Sequence, residues 1–234
     1  MRWEGLQGGG DSRFIRGMKT FLTLLLALST MLSAHADSAK WEKEIAAFEA
    51  ADARQQPERG GIVFVGSSSI RLWKTLAKDF PEHRVLNRGF GGSELADSVA
   101  FVDRIIFPYE PRMVVLYAGG NDINGGKSAQ QVFEDFREFV AKVRSGLPEV
   151  EIAYISIAGN PARWAQVEEV KAANRLIEDY AKGLKGVRFI DVFTKMLDEG
   201  GQPRGDIFVA DKLHMNEAGY KIWADVVRPF LGKP

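Results

Sequence analysis

Ile62-Val63-Phe64-Val65 is followed directly by Gly66-Ser67-Ser68-Ser69, so a short apolar run ends in a glycine and three hydroxyl side chains. An unbroken apolar run rich in β-branched residues is typical of a strand buried on both faces, and such strands belong to parallel sheets. The serines then lie at the carboxyl end of the strand, which is the edge where open α/β sheets bind ligands. Taken alone, these residues fit a plain strand-to-helix turn with a serine cap equally well.

Apolar runs alternate with segments of helical periodicity along the rest of the chain. Strands are predicted at residues 62–65, 84–87, 113–117, 151–157 and 187–192. Apolar residues spaced three and four apart predict amphipathic helices between them, and a further helix over residues 38–54 precedes the first strand. This alternation predicts a single α/β domain, a three-layer α/β/α sandwich around a five-stranded parallel sheet. We expect the flavodoxin-like strand order 2-1-3-4-5.

Side chains that cap helices mark several of the predicted helix starts. Ser128 and Gln131 have the spacing of a capping box, and Ser93 and Asn216 are single caps at the starts of two other helices. The dipeptide at residues 160–161, Asn-Pro, predicts the start of one long continuous helix. After the serines, apolar residues up to Phe80 predict a short helix that ends before a proline.

The composition excludes several kinds of function. Basic and acidic residues balance at 31 each, and no basic block indicates a nucleic-acid partner. The chain has no cysteine, which excludes disulfides, thiolate metal sites and a cysteine nucleophile. It has three histidines, His35, His83 and His214. At 234 residues and 45% hydrophobic content, the chain is long enough to bury the core of one domain.

The first 36 residues are predicted to be a signal peptide. From Met18 the sequence has a basic start, an apolar run over residues 21–32 and the cleavage pattern Ala34-His35-Ala36. The run is short for a membrane span, although an N-terminal anchor is the alternative. Residues 1–17 then form an over-long start. We therefore expect a periplasmic or extracellular protein, with its domain over residues 37–234 and no stable membrane insertion after cleavage.

Four loops with unusual residues fall on one edge of the predicted sheet, at residues 67–69, 89–92, 119–122 and 211–214. A serine hydroxyl is a weak nucleophile at neutral pH, so it needs an imidazole within reach and an acceptor that orients the imidazole. His214 lies on this edge three residues after Asp211, although a helix-capping histidine is the alternative. His83 lies on the opposite edge and is expected to be a solvated loop residue.

An oxyanion hole needs donors that converge on one point. Glycine lets a backbone N–H approach closely, and an asparagine amide donates from a second direction. Gly92 and Asn121 fit these two roles. Phe90, Tyr117, Ile123 and Trp164 are candidates to line a substrate pocket, and each is also an acceptable core residue.

In chain order, the four loops resemble the sequence blocks of the SGNH hydrolases, also called the GDSL esterases and lipases. Gly66-Ser67-Ser68 resembles the Gly-Asp-Ser block, which implies Ser68 as nucleophile and its backbone N–H as an oxyanion donor. Residues 87–92 resemble the second block, which implies Gly92 as a second N–H donor. Residues 119–122 resemble the third, which implies the Asn121 side chain as a donor. Residues 211–214 match the Asp-x-x-His block, which implies Asp211 and His214 as the partners of the serine.

The first block departs from the family at one position, because Ser67 stands where the family has aspartate. That position supports the loop and takes no part in the reaction, so we expect activity to survive. A literal Gly-Asp-Ser at residues 10–12 precedes the signal peptide and follows no strand. The Gly-x-Ser-x-Gly elbow of the α/β-hydrolases is absent around Ser68.

The resemblance implies an enzyme, a secreted serine ester hydrolase that forms an acyl-enzyme and needs no metal or organic cofactor. Its expected substrates are short-chain acyl esters, acetyl among them, on a small molecule, a carbohydrate or a lipid. One alternative is a lysophospholipase or thioesterase of the same fold. Another is a non-catalytic flavodoxin-like module that binds phosphate on residues 66–69. Dinucleotide binding is favoured least, because Gly89-Phe90-Gly91 would need a further glycine at Glu94, so the Rossmann spacing fails.

Overall fold

A five-stranded parallel sheet forms the centre of the computed structural model, which describes residues 38–233. The strands are β1 (Ile62–Gly66), β2 (Val85–Gly89), β3 (Met113–Tyr117), β4 (Glu151–Ile155) and β5 (Val187–Ile190). Their order is β2-β1-β3-β4-β5, and every neighbouring pair is parallel. The predicted α/β fold class and the predicted strand order are confirmed.

Helices connect the strands and cover both faces of the sheet. The α-helices are α1 (Glu42–Arg54), α2 (Ser68–Arg71), α3 (Leu76–Asp79), α4 (Leu95–Ala100), α5 (Val102–Ile105), α6 (Gly120–Asn124), α7 (Ala129–Gly146), α8 (Val167–Lys182) and α9 (Glu217–Val227). Short 3₁₀ turns lie at Ala39–Trp41, Phe107–Tyr109, Pro161–Gln166, Thr194–Met196, Gly205–Ile207 and Arg228–Phe230. Among the described residues, none of these helices combines the length and the apolar character that crossing a membrane requires.

The apolar run in β1 is unbroken because both faces of the sheet are buried. Val63 and Val65 pack into one core with side chains of α1, α4, α5, α7 and α8. Ile62 and Phe64 pack into the other core with side chains of α2, α3 and α9. Alternate residues of one strand therefore serve two different helix layers, as expected for a parallel sheet.

Two glycines at the carboxyl edge of the sheet have backbone conformations that other residues rarely adopt. Gly66 ends β1 at φ +130°, and a Cβ there would lie 1.9 Å from the Tyr117 carbonyl oxygen. Gly119, which follows β3, has φ +112°, and a Cβ there would lie 2.8 Å from the Ile157 side chain. Both positions require glycine, and both set the direction of a loop that leaves this edge.

Two of the predicted helix caps are confirmed and one is wrong. The Ser128 side chain accepts from the Gln131 N–H in a capping box, and the Asn216 side chain accepts from the Gly219 N–H. Ser93 does not cap α4. The N-cap is Glu94, because the carboxylate of Asp97 accepts from the Glu94 N–H at 2.9 Å and the helix starts one residue later.

Two predicted helices are each divided in two. The segment after the serines forms α2 and α3 instead of one helix. The helix predicted to begin at Asn160 and Pro161 forms a 3₁₀ turn, Pro161–Gln166, before α8. Arg163 lies inside this turn at φ −125° and ψ 23°, outside helical values, and its N–H donates to the Asn160 side chain at 3.0 Å.

The prediction of a solvated His83 is wrong. It precedes β2 at the edge opposite the serines, as expected, but its side chain is only 3% exposed. Arg112 Nη2 lies 3.1 Å from His83 Nδ1. Burial, and then the Arg112 charge, lower the pKa of His83 below its ordinary value.

Three predictions lie outside the described residues: the signal peptide over residues 1–36, His35 within it, and the Gly-Asp-Ser at residues 10–12. The described part from Lys40 onward belongs to one compact unit.

Candidate active site

Ser68 is the first residue of α2, directly after the end of β1. The backbone of Ser67 makes this sharp turn possible: its N–H donates to the Tyr117 carbonyl at 3.0 Å, and its carbonyl accepts from Ile70 and Arg71. Within residues 38–233 the Ser67 side chain makes no hydrogen bond. The loop is therefore held by main-chain bonds, and it forms without the aspartate that the family has at this position.

A loop just before α9 brings His214 to Ser68. His214 Nε2 lies 2.9 Å from Ser68 Oγ, although 146 positions separate the two residues in the chain. The loop is closed by an antiparallel bridge between Phe208 and Met215 and by the Val209 N–H, which donates to the His214 carbonyl at 2.9 Å. Tyr220 on α9 donates to the Ser69 carbonyl at 2.9 Å, so the helix after this loop is also tied to α2.

Asp211 holds the other side of the imidazole. Its Oδ2 lies 2.7 Å from His214 Nδ1, and its Oδ1 accepts from the Leu213 and His214 N–H groups at 2.9 Å each. These donors lower the pKa of Asp211 to about 2, with the His214 backbone N–H the largest cause. A carboxylate only accepts, so the ring proton of neutral His214 lies on Nδ1 and Nε2 is free to accept from the Ser68 hydroxyl.

Two backbone N–H groups at this edge are left without partners. Neither the Ser68 N–H nor the Gly92 N–H has an acceptor anywhere in residues 38–233. The Asn121 side chain lies beside Gly92, since a Cβ there would be 3.7 Å from Asn121 Nδ2, and it lines the same cavity as Ser68. Asn121 Nδ2 donates one hydrogen to the Ser93 carbonyl at 3.0 Å and has a second hydrogen to offer. The arrangement provides donors that can stabilise a developing oxyanion.

Helix α1 and the 3₁₀ turn before it contact the loop that carries Gly92. The Gly91 N–H donates to Glu44 Oε2 at 2.8 Å. Gly91 has φ +39°, and a Cβ there would lie 1.9 Å from the Trp41 ring, so indole and glycine are in close contact. The position of the Gly92 N–H therefore depends on Glu44 of α1 and on Trp41 of the 3₁₀ turn just before it.

Asp122 connects this loop to the one that carries Asn121. It is completely buried, and its carboxylate accepts from the Leu95 N–H at 3.1 and 3.2 Å. Lys127 Nζ lies 3.1 Å from its Oδ1 and also pairs with Glu94 and Asp135. Burial raises the pKa of Asp122 to about 6, and the Lys127 charge opposes that rise.

A cavity of about 40 Å³ lies beside Ser68 and His214, and Asn121 also lines it. Two of the four predicted lining residues are present, Tyr117 and Trp164. The other two, Phe90 and Ile123, are buried in the core and do not line the cavity. Trp164 stacks on Phe193, with ring centroids 6.4 Å apart and an interplanar angle of 14°.

Arg163 is a residue of this site that the sequence analysis missed. It lines the cavity, and its Nη1 donates to the Asn121 Oδ1 at 2.9 Å and to the Gly120 carbonyl at 3.0 Å. The only signal in the sequence is the Asn160-Pro161 helix start, which predicts one continuous helix. The break in that helix at Arg163 is what carries the side chain to the site.

The described residues contain no group of three or more histidine, aspartate or glutamate side chains that could hold a metal ion. Ser68, His214 and Asp211 lie in one hydrogen-bonded line, and unpaired donors lie nearby. Such an arrangement is suited to activating a serine hydroxyl for attack on a carbonyl carbon.

Solved structures with this fold come from several bacteria. A protein from Streptococcus pneumonia, provisionally described as a platelet activating factor, is 20% identical with a TM-score of 0.72, over 88% of this chain and 99% of that one. A GDSL-like lipase from Bacteroides thetaiotaomicron is 18% identical with a TM-score of 0.64, over 80% and 96%. An acetyl-xylooligosaccharide esterase variant from Geobacillus Stearmophilus is 16% identical with a TM-score of 0.60, over 76% and 97%.

No curated protein is significantly similar to this chain in sequence. The model of the GDSL-like lipase/acylhydrolase family, in contrast, matches residues 61–222, which include all four loops of the site. The match covers well over half of the chain, and it confirms the resemblance found in the sequence blocks. The chain belongs to the GDSL-like lipase/acylhydrolase family.

Proposed function

We propose that this protein is an exported serine ester hydrolase that removes short acyl groups, acetyl above all, from a carbohydrate or another small alcohol. Membership of a lipase/acylhydrolase family supports ester hydrolysis in general. The observation that carries the finer assignment is the hydrogen-bonded line from Ser68 Oγ through His214 to Asp211, at 2.9 and 2.7 Å.

In the proposed mechanism, Ser68 Oγ attacks the acyl carbon while His214 Nε2 takes its proton. The tetrahedral intermediate collapses, the bond to the alcohol oxygen breaks, and His214 gives that proton to the leaving alcohol. Water then gives a proton to His214 and attacks the acyl-enzyme. The acid leaves as His214 returns the proton to Ser68. Asp211 keeps the imidazole in the required tautomer and stabilises its charged form.

The oxyanion of each tetrahedral intermediate is assigned to three donors, the backbone N–H groups of Ser68 and Gly92 and the side chain of Asn121. Unpaired donors in a fixed position need no rearrangement when charge develops, which is why such groups lower the barrier. The two backbone groups lack acceptors in the described part of the chain, as that role requires.

The size of the cavity supports a small acyl group. A volume of about 40 Å³ has room for only a few water-sized groups. Gly159 lines the cavity, and a Cβ there would lie 2.9 Å from the Trp164 ring, so this wall is already closely packed. Three structures with this fold are carbohydrate esterases, from Clostridium thermocellum, Geobacillus Stearmophilus and Talaromyces cellulolyticus, and one of these is described as an acetyl-xylooligosaccharide esterase.

The first prediction tests the nucleophile. Ser68→Ala removes the attacking oxygen, so hydrolysis of p-nitrophenyl acetate falls by at least about 10³-fold, and a fluorophosphonate probe that labels the wild-type protein no longer labels the variant. Ser145→Ala is the control, because Ser145 is an exposed serine on α7 that bonds only the Lys142 carbonyl. Undiminished turnover in Ser68→Ala would contradict the proposal.

The same assay with longer acyl chains tests the substrate class. We expect kcat/KM to be highest for acetyl and to fall steadily towards octanoyl, because the cavity beside Ser68 is small. A rise towards long chains would favour the lysophospholipase or thioesterase alternative. Absence of both hydrolysis and probe labelling, together with binding of inorganic phosphate, would favour the non-catalytic module.

A further inference from the structure

Arg163 occupies an unusual position for a cation. It lines the cavity beside Ser68 on the 3₁₀ turn Pro161–Gln166, and both hydrogen bonds of its guanidinium go to neutral oxygens, the Gly120 carbonyl and Asn121 Oδ1. Among residues 38–233 no carboxylate lies within ion-pair distance of it, unlike Arg88 or Arg104. Burial lowers the pKa of Arg163 from its ordinary value, yet arginine stays charged in proteins. The site therefore holds a positive charge that forms no ion pair within the described part of the chain.

This guanidinium decides which way the Asn121 amide points. An asparagine amide rotated by 180° exchanges its oxygen and nitrogen, and the rotated form would aim an acceptor at the oxyanion. Because the arginine offers only donors, it binds Oδ1 and excludes the rotated form. The Ser93 carbonyl, which only accepts, holds Nδ2 from the other side. Both partners select the same orientation.

The same contact strengthens the amide as a donor. A cation bound to the amide oxygen withdraws electron density from the group, so the Nδ2 hydrogens become more positive, as in other chains of linked hydrogen bonds. Charge-assisted hydrogen bonds are also stronger than neutral ones. The positive charge of Arg163 lies one amide away from the place where the oxyanion forms.

The turn that carries Arg163 also contacts the loop of Asp211 and His214. The Ala162 N–H donates to the Lys212 carbonyl at 3.1 Å, and Lys212 itself has φ +57°. Neighbouring residues of one short turn thus bind both the Asn121 loop and the His214 loop. Both contacts are made from the interrupted part of the helix, where Arg163 has non-helical φ and ψ.

We propose that Arg163 is a positioning residue of this active site, which fixes and polarises the Asn121 amide for oxyanion stabilisation. The inference rests on the proposed function, since it assumes that Asn121 is an oxyanion donor. It adds a residue that works through Asn121 and has no direct role in proton transfer.

A double-mutant cycle on p-nitrophenyl acetate hydrolysis tests this. Arg163→Met keeps a long side chain but removes the donors, and we expect kcat to fall about 10- to 100-fold with KM nearly unchanged, because the lost interaction acts in the transition state. Asn121→Ala is expected to lower kcat by about 10²–10³-fold. If Arg163 acts through Asn121, adding Arg163→Met to Asn121→Ala lowers kcat less than about threefold further.

Two further variants distinguish a positioning role of Arg163 from a purely structural one. Arg163→Lys retains the charge and one donor and is expected to recover part of the lost kcat, a result that a purely structural role for the turn would not give. Arg175→Met is the control, because Arg175 is an exposed arginine on α8, and its kcat stays at the wild-type value. Thermal melting of each variant shows whether it folds. If Arg163→Met fails to fold, the cycle is completed with Arg163→Lys.

The inference is overturned if the effects of Arg163→Met and Asn121→Ala multiply, or if Arg163→Met raises KM and leaves kcat unchanged. Failure of this inference and failure of the proposed function give different experimental results. Full activity of Ser68→Ala would remove the function itself, whereas an essential Ser68 with independent Arg163 and Asn121 effects would remove only this inference.

Discussion

Burial and charge oppose each other at Asp122, the buried carboxyl that joins the loops of Asn121 and Gly92. Its pKa is raised to about 6 by burial, against an ordinary value of 3.8. Between these values the folded protein binds a proton that the unfolded chain does not, so this group stabilises the fold most below about pH 4 and loses that contribution as the pH rises through about 6. This rise of about two pKa units corresponds to about 3 kcal/mol in the free energy of unfolding.

We therefore predict a pH-dependent difference between the wild-type protein and Asp122→Asn. The free energy of unfolding, measured in urea at pH 4.5 and at pH 7, should fall by about 2 kcal/mol more in the wild type over this interval. The depressed pKa of Asp211 acts in the opposite direction, but both proteins share it, so it cancels in the comparison. Parallel curves for the two proteins would show that Asp122 is ionised well below pH 6.

The site residues that lie in one loop, or at the ends of paired strands, could be predicted from the sequence. Asp211 and His214 are three positions apart, so their contact follows from local spacing, and Ser68 and Asn121 were placed by the ends of strands that pair directly. Arg163 could not be found in this way. Its contact with Asn121 spans 42 positions and depends on a helix break that no proline or glycine marks at that residue.

Helix α1 supports the site although it contributes no reacting group. Glu44 accepts from the Gly91 N–H, and the Trp41 ring packs against the same glycine. We predict that Glu44→Ala lets the Gly92 N–H move from its position and lowers kcat about 10- to 100-fold, while the unfolding free energy falls by only about 1 kcal/mol. The measurement is kcat and a urea melt on the same preparation.

The matched control lies on the same helix. Glu49→Ala removes an ion pair with Arg104 but leaves Gly91 untouched, so kcat should not change. Glu44→Gln retains an oxygen that accepts from the Gly91 N–H and should recover most of the activity. Equal kcat losses for Glu44→Ala and Glu49→Ala would mean that α1 acts only through general stability.

Element types followed from the hydrophobic pattern, and the sheet order from the flavodoxin-like fold class that the pattern indicates, whereas the positions of helix ends followed from neither. The buried strands β1 and β3 leave little choice of register, because all the residues of β3 and the four apolar residues of β1 pack into one of the two cores. Helix starts are decided by single hydrogen bonds. Serine is a preferred N-cap and glutamate is not, so the sequence alone favours Ser93, whereas the bond from the Glu94 N–H to the Asp97 carboxylate places the cap at Glu94.

For the whole molecule, we predict that export removes residues 1–36. A protein recovered from the periplasm or the medium should start at Asp37 by N-terminal sequencing, because the Ala34-His35-Ala36 pattern follows the apolar run. Replacing the small residue before the cut, Ala36→Asp, should leave the precursor unprocessed, whereas Ser33→Ala should not. An intact N-terminus on the exported protein would favour the anchor alternative.

The support that α1 gives to Gly91 has a consequence for how the enzyme matures. The family match begins at residue 61, yet the site depends on Trp41 and Glu44, which precede it. Only four residues separate the expected cut from Trp41. If the chain is exported and cut as proposed, an aminopeptidase that removed a few more residues would lower hydrolysis while leaving all five strands in place, and the activity would then last only as long as this short N-terminal segment.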